Sequence, residues 1–235
     1  MKTTYLICAG IALALLSRTA SAAINTPPGL QPGDTFHLMF VTTGTMQAVS
    51  SNPPGLGYDQ LVFNEAQANG LLIYGTQSVN WTALISHWSI PVVGAIDRFN
   101  PVSPVYRLDG PKIANNGSDL YDNSIQNPIN VGPDLSINDV FVWTGSNADG
   151  TPAGNGSYLN NGFNNPRIGV SFNTNLNWLS ATDFPWNTEL HLYAFSSELT
   201  VIPEPGTLLL GSFAILGALA TLRQRPAPSR RDVSH

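Results

Sequence analysis

Apolar side chains follow a two-sided pattern in two segments near the ends of the central region. In residues 36–43, FHLMFVTT, and again in residues 190–195, LHLYAF, apolar residues fill both alternating sets of positions. Strands that are buried on both faces show this pattern, whereas strands with one wet face alternate apolar and polar residues. We expect the first strand to be buried on both faces, and we expect the C-terminal segment to form a final strand, with Leu190, Leu192 and Ala194 on one face, that pairs beside the first.

Two segments that follow the first strand predict helices. Residues 58–71 carry apolar side chains at helical spacing and end in an Asn-Gly pair, which is typical of a helix C-terminus. Residues 80–88, NWTALISHW, place Leu84 and Ile85 on a face with two tryptophans, behind a cap at Asn80. The second helix is expected to be short and packed on a sheet.

The rest of the central region reads as strands and long loops. Residues 104–110, PVYRLDG, and 139–146, DVFVWTGS, have strand composition. Residues 147–166 are rich in Asn and Gly, which tolerate the positive φ angles of turns. The order of elements predicts an α+β fold with two helices, a small, mainly antiparallel sheet and long loops, and a β-sandwich is the alternative.

The two ends of the chain are apolar in a different way. Lys2 precedes an apolar run that closes on Ala-Ser-Ala, so residues 1–23 are predicted to be a secretory signal peptide. Residues 206–222 carry no charge, and a helix of that length reaches about 26 Å, which is close to the lower limit for crossing a bilayer. Arginines follow the span and are expected to remain cytoplasmic, which places residues 24–202 outside.

Charge and cysteine content narrow the function of the central domain, residues 24–202. It holds thirteen acids and four cations, which are Arg98, Arg107, Lys112 and Arg167. Such an acidic surface repels phosphate backbones, so nucleic acid is not an expected partner. The single cysteine, Cys8, lies in the predicted signal peptide, so the exported protein has no disulfide framework.

The C-terminal region, residues 203–235, resembles the PEP-CTERM sorting signal of Gram-negative bacteria. The resemblance rests on Pro203, Glu204 and Pro205, on the short apolar span, and on an arginine cluster that includes Arg223 and Arg225. It implies processing by an exosortase after signal peptidase has acted. The precursor would sit transiently in the inner membrane, and the product would reach the cell surface or the exopolysaccharide matrix.

The central domain resembles the C-type-lectin-like fold, and most nearly a bacterial exported domain of unknown function related to endostatin. The motifs that carry the resemblance are FVTTG, EAQANGL, WTALIS, YRLDG, VWTGS, NWLS and LHLYAF, in that order. The resemblance implies a scaffold whose termini meet in neighbouring strands and whose long loops display a surface. Relatives staple the final strand with cysteine, whereas Ala194 stands at that position here.

Catalytic motifs are not found in the sequence. HExxH, GxSxG, Walker and Rossmann patterns are all missing. His37 and His191 lie on strands predicted to be neighbours, and packed histidines explain them better than a catalytic or metal-binding pair. The chain is therefore predicted not to be an enzyme.

Two candidate ligand sites lie in the loop-rich half. Asn147, Asp149 and Asn155 offer oxygen atoms of the kind calcium binds, although a structural turn is the competing interpretation. Aromatic and amide side chains that can contact a sugar are found at Tyr158, Trp186 and Asn187, with Trp186 expected to be exposed. Trp143 and Trp178 are assigned to the core.

These observations predict an exported surface or matrix protein with a non-catalytic binding domain. Extracellular polysaccharide is the first candidate partner, no cofactor is required, and calcium is the one candidate ion. The alternatives are a secreted glycan-acting enzyme, which would need a pair of carboxylates in a pocket, and a protein-binding adhesin, which would need an exposed apolar patch.

Overall fold

The computed structural model describes residues 24–49, 56–162 and 164–203. The strands are β1 (Thr35–Val41), β2 (Ile73–Tyr74), β3 (Gln77–Ser78), β4 (Trp81–Ala83), β5 (Val105–Arg107), β6 (Lys112–Ala114), β7 (Phe141–Trp143), β8 (Arg167–Val170), β9 (Thr182–Asp183), β10 (His191–Ser196) and β11 (Leu199–Thr200). The helices are α1 (Leu56–Ala68), α2 (Ala95–Arg98) and α3 (Gly117–Leu120), with 3₁₀ turns at Gly154–Gly156 and Leu176–Trp178.

Nine of these strands form one sheet, so the fold is mixed α/β with few helices. The strand order is β6-β5-β1-β10-β7-β8-β9, while β11 pairs with β1 and β4 pairs with β10. Most pairs are antiparallel, and the β1–β5 and β10–β7 pairs are parallel. The mainly antiparallel character agrees with the prediction, but the sheet is larger than expected. The β-sandwich alternative requires two packed sheets, whereas β2 and β3 form a separate two-stranded ribbon.

The two central strands are buried on both faces, as the sequence of β1 predicts. Phe36, Leu38 and Phe40 of β1 belong to one hydrophobic cluster, and Met39 and Val41 belong to another. Strand β10 divides in the same way and pairs antiparallel with β1 through the register Phe40↔Ala194. The sheet therefore separates two cores, and helix α1 packs into the first of them.

The prediction of a second helix at residues 80–88 is wrong, because residues 81–83 form strand β4. Trp81 and Ala83 enter the first core and Leu84 enters the second, so the side chains alternate with period two. Strand β4 pairs with β10 through Trp81↔Ser196, and the Trp81 indole donates to the carbonyl of Leu71 at 2.7 Å. Pairing with a buried strand outweighs the helical spacing of the apolar residues.

The remaining predicted elements are confirmed in outline. Helix α1 covers most of the predicted residues 58–71, and β5 and β7 lie inside the predicted strands 104–110 and 139–146. The segment after β7 is rich in turns, and Asn155 and Asn160 adopt positive φ there.

Both ends of the described chain meet beside β1. Thr35 pairs with Thr200, and the amide of Gly33 donates to the carbonyl of Val201 at 2.9 Å. Neighbouring termini were expected from the lectin-like arrangement. Because the two ends are hydrogen-bonded to each other, the segment that precedes β1 lies beside the last residues of the described chain.

Candidate functional site

The β5–β6 hairpin lies at one edge of the sheet and forms one wall of an open groove. The amide of Gly110 donates a hydrogen bond to the carbonyl of Arg107 across its turn, at 2.9 Å. The guanidinium of Arg107 donates two hydrogen bonds to the carboxylate of Asp109, at 2.6 and 2.8 Å. Gly110 has φ of +113°, and a Cβ there would lie 3.2 Å from Cδ of Pro28. Glycine thus lets the turn approach residues 28–35, which form the opposite wall.

The groove has a volume of about 650 Å³, which falls within the range of small-ligand sites. Its lining combines apolar faces with two charged side chains and includes Pro28, Leu30, Asp34, Pro104, Tyr106 and Lys112. The prolines and Leu30 supply rigid or branched apolar surface, while the charged groups supply one anion and one cation. A ligand here would meet both apolar and polar contacts.

Lys112 and Tyr106 form the polar centre of the hairpin wall. They are directly paired residues on β6 and β5, so their side chains lie on the same face of the sheet. The Lys112 ammonium lies 5.7 Å from the centre of the Tyr106 ring, within cation–π range. The ring is buried and packs edge-on against Phe36 at 6.3 Å. The Tyr106 ring therefore holds the Lys112 ammonium at a defined place in the groove.

Lys112 differs from the arginines of the same domain in how its charge is used. Arg98, Arg107 and Arg167 each form an ion pair with an aspartate. Lys112 takes part in no ion pair with another residue that the structure describes, and its hydrogen-bond partner is the neutral Asn115 at 3.3 Å. The ammonium is therefore available to an anionic group of a ligand.

Asp34 supplies the negative group of the groove, and the backbone fixes its position. Its Oδ2 accepts the amide of Gln31 at 2.7 Å, and its main-chain carbonyl accepts the amide of Val201 at 2.8 Å. The carboxylate is exposed and forms no ion pair with Lys112. It can accept hydrogen bonds from ligand hydroxyl groups.

A second cavity of about 350 Å³ contains His37, Phe99 and Glu198. The Nδ1–H of His37 donates to the carbonyl of Ser196 at 3.0 Å, and Glu198 accepts the hydroxyl of Ser103 at 2.6 Å. Burial lowers the pKa of His37, against the opposing effect of the neighbouring carbonyl groups and Glu198. The histidine is therefore neutral near pH 7. The lining of the groove contains one carboxylate, Asp34, and the lining of the second cavity contains one, Glu198.

Arg98 also joins a polar network with Asp59 and His87. Its guanidinium contacts Asp59 at 2.5 Å, donates to the carbonyl of Ala83 at 3.1 Å and donates to Nε2 of His87 at 3.2 Å. Because Nε2 accepts from Arg98, the proton of His87 is on Nδ1, which donates to the carbonyl of Trp88 at 3.0 Å. Burial lowers the pKa of His87, which agrees with a neutral ring.

His37 and His191 do not form a pair. Their strands are neighbours, but the register Phe40↔Ala194 puts the two histidines at opposite ends of the β1–β10 pair. The Nδ1–H of His191 donates to the carbonyl of Thr42 at 2.8 Å. Both side chains are thus hydrogen-bonded to the backbone, as the packed-histidine interpretation predicts.

The predicted sugar-contacting residues do not form an exposed aromatic surface. Trp186 is half-buried and packs against the first core, which corrects the expectation that it would be exposed. Tyr158 is also half-buried, and Asn187 is exposed. Since the chain has no disulfides, aromatic rings such as that of Trp186 supply apolar area to the core instead. Trp143 and Trp178 are fully buried, as expected.

The candidate calcium loop is a tight turn. Asp149 accepts the amide of Thr151 at 3.0 Å and its hydroxyl at 2.6 Å, while Asn147 donates to Thr151 at 3.1 Å. Asn155 is exposed and has φ of +58°. In the part of the chain that is described, no three His, Cys, Asp or Glu side chains cluster as a metal site. These contacts match the structural-turn interpretation.

Most of the predicted sorting signal lies outside the described residues. Pro203 is the last residue described and is exposed. Glu204, Pro205 and the predicted span 206–222 follow it, as do Arg223 and Arg225, and residues 1–23 also lie outside. Among the described helices, none has the length and apolar character to cross a membrane.

Comparison of the chain with protein-family models gives no match, and no curated protein matches it. The groove is therefore characterised by its own geometry.

Sequence patterns did not identify Asp34, Tyr106 and Lys112 as a site. The three residues come together because Gly110 brings the hairpin against the lead-in segment. One signal was present, since Lys112 is the one lysine of the central domain. A lone lysine among thirteen acids is an unusual charge for this domain.

Proposed function

We propose that this chain is an exported cell-surface or matrix protein of a Gram-negative bacterium whose domain binds extracellular polysaccharide without catalysis. Signal peptidase would remove residues 1–23, and an exosortase would cut at or near Pro203-Glu204-Pro205. The observation that carries the binding proposal is the groove between the β5–β6 hairpin and residues 28–35.

The groove suits a sugar chain for a chemical reason. Sugar rings present apolar C–H faces and a rim of hydroxyl groups, and they bind where apolar surface lies beside hydrogen-bonding groups. Pro28, Pro104 and Leu30 supply the apolar surface, Asp34 supplies an acceptor and Lys112 supplies a donor. The groove is open, so a long polymer could pass through it without threading an end.

Two features support the finer assignment to a C-type-lectin-like fold. The first and last long strands, β1 and β10, are adjacent, and the two ends of the described chain meet beside them. The long, turn-rich segment after β7 would correspond to the loop region that this fold uses for display. The second helix of the resemblance is replaced by strand β4.

The end of the described chain is consistent with the proposed processing. Val201 is buried and its amide binds the carbonyl of Asp34 at 2.8 Å, while Pro203 is exposed two residues later. The proposed cleavage site therefore begins shortly after β11, the last strand that the structure describes. A cut there would leave every described strand in place.

The protein-binding alternative has one observation in its favour. Several large apolar side chains near strands β7 and β8 are exposed, including Phe141, Phe172 and Leu176. Phe141 lies 6.1 Å from the ring of Phe184. Binding to a matrix protein, rather than to polysaccharide, would point to this surface.

Retention on matrix polysaccharide from the native host tests the binding proposal. The full chain in mild detergent should be retained. Asp34→Asn exchanges a charged hydrogen-bond acceptor for a weaker, neutral one and should weaken retention about fivefold, which corresponds to roughly 1 kcal/mol. The matched control is Asp149→Asn, because Asp149 is also an exposed turn aspartate and the charge change is the same.

The outcomes separate the proposals. No retention, with calcium or with a chelator, contradicts polysaccharide binding. Loss on Asp149→Asn or on chelation, with Asp34→Asn unaffected, would transfer the site to the loop at Asn147, Asp149 and Asn155. Mass spectrometry of the mature protein should show one terminus near residue 24 and the other near Pro203, and an intact tail would contradict exosortase processing.

A further inference from the structure

The single cation of the groove is used differently from every arginine that the structure describes. The three arginines are neutralised by aspartates within the domain, whereas Lys112 is held over the Tyr106 ring beside neutral Asn115. An ammonium group that is oriented by the protein, and that forms no ion pair with any residue the structure describes, is a binding point for an anion.

We propose that the groove selects polysaccharides that carry isolated carboxylates, that is, uronic acid residues spaced along a largely neutral chain, with Lys112 as the carboxylate-binding group. This inference rests on the proposed function and adds the class of polysaccharide. Asp34 then accepts ligand hydroxyl groups, and Pro28 and Pro104 contact the sugar faces.

The position of Lys112 is built into the hairpin. The residue is the direct partner of Tyr106 in the β5–β6 pair, and its carbonyl accepts the side-chain amide of Asn127 at 2.8 Å. Lys112 is half-buried and lines the groove, with its ammonium over the Tyr106 ring and 3.3 Å from the side-chain oxygen of Asn115. These contacts favour one position of the ammonium before a carboxylate binds.

The charge of the rest of the domain limits how acidic the ligand can be. Residues 24–202 hold thirteen acids and four cations, a formal charge of −9. A polymer with a charge on every sugar would bring many carboxylates within a Debye length, about 8 Å, of this surface, and one lysine could not compensate. Phosphate-rich polymers and anionic lipid surfaces are disfavoured for the same reason. Sparse carboxylates avoid this repulsion.

The test compares three polysaccharides on the full chain in mild detergent. The probes are low-molecular-weight gellan, which has one glucuronate in each repeat, the same gellan after carboxyl reduction, and polygalacturonate, which is charged on every sugar. We expect gellan to bind about tenfold more tightly than reduced gellan, and polygalacturonate to bind more weakly than gellan in low salt.

Variants of Lys112 connect this preference to the groove. Lys112→Gln should lower gellan affinity about tenfold, the size of one charge-assisted hydrogen bond, and leave affinity for reduced gellan unchanged. Lys112→Arg keeps the positive charge and should restore most of the affinity. The control Asn64→Asp changes the net charge by the same amount at an exposed position on α1 outside the groove lining, where an aspartate can still accept the hydrogen bond from Gln60, and should have little effect.

Each result has a defined meaning. Equal binding of gellan and reduced gellan, or an equal loss of both on Lys112→Gln, overturns the carboxylate inference but leaves polysaccharide binding in place. Failure of all three probes together with the native matrix polysaccharide overturns both proposals. Unchanged circular dichroism and thermal midpoint show that Lys112→Gln is folded, and Lys112→Arg provides an independent test if it is not.

Discussion

Arg98 and Lys112 place a positive charge in two different settings. Arg98 is enclosed by Asp59, His87 and the carbonyl of Ala83, so protein groups occupy its guanidinium. Lys112 sits at an open groove, above an aromatic ring and without an ion pair among the described residues. The contacts of Arg98 connect α1, β4 and α2. The described contacts of the Lys112 side chain are with Tyr106 of the same hairpin and with Asn115, which follows β6.

The comparison indicates which charges serve the fold and which serve binding. Removing one member of an enclosed pair leaves its partner without compensation, which is costly. Removing a half-buried ammonium that has no ion pair among the described residues leaves no orphaned partner, so stability changes little. Substitutions at the two positions should therefore separate stability from ligand affinity.

The largest effect is expected for Arg98→Met. The change keeps an apolar stem but leaves Asp59, 27% exposed, without its counter-ion. The free energy of unfolding should fall by about 2 kcal/mol, below the cost of breaking a fully buried pair because the site is partly wet. Denaturant unfolding followed by tryptophan fluorescence measures it. Lys112→Met is the matched control, with an expected loss below about 1 kcal/mol, and equal losses would contradict the comparison.

A smaller effect is expected for Gly110→Ala, which tests the groove wall. Alanine at φ of +113° is strained, and its Cβ would crowd Pro28 at 3.2 Å. The unfolding free energy should fall by about 1–2 kcal/mol, and polysaccharide retention should weaken as the walls shift. At Gly154 an added Cβ meets no atom within 4 Å, so Gly154→Ala should change neither quantity. Normal retention by Gly110→Ala would argue against the groove as the site.

The smallest effect is expected from pH. Burial lowers the pKa of His87 below its ordinary value of 6.5, and protonation would also set an N–H against the Arg98 guanidinium. Below pH 6.5 the unfolded chain gains a proton that the folded chain does not, so stability is full above that pH and declines as pH falls.

Unfolding midpoints at pH 7 and pH 5 measure this decline. His87→Gln should reduce the difference between the two midpoints, while His37, whose pKa burial also lowers, sustains the remainder. An identical difference in the wild type and in His87→Gln would show that the ring of His87 does not carry the effect.

The sequence predicted those elements whose burial follows from the order of apolar and polar residues within the element itself. Strand β1 has apolar residues in both of its alternating sets of positions, and this composition is stable between two cores. The pattern failed at residues 81–83, where Trp81 and its neighbours fit both helical and strand spacing. Trp81 pairs with Ser196, more than a hundred residues away, and this pairing is the reason that the segment forms a strand.

The candidate site was less accessible to prediction than the fold. Trp186 looked like an exposed aromatic residue beside polar neighbours, yet its ring packs on the first core. A single sequence does not distinguish an aromatic side chain that completes a core from one that contacts a ligand, because both occur next to Asn and Pro in loops.

The sequence by itself determined the two-sided burial of β1, the acidic charge of the domain and the rarity of lysine, since these depend on composition and on spacing along a few residues. Tertiary structure alone decided that Asp34 and Lys112 share a groove. They lie far apart in the chain, and they meet because a glycine turn fits against Pro28 and because the pairing of β1 with β5 and β11 fixes both walls.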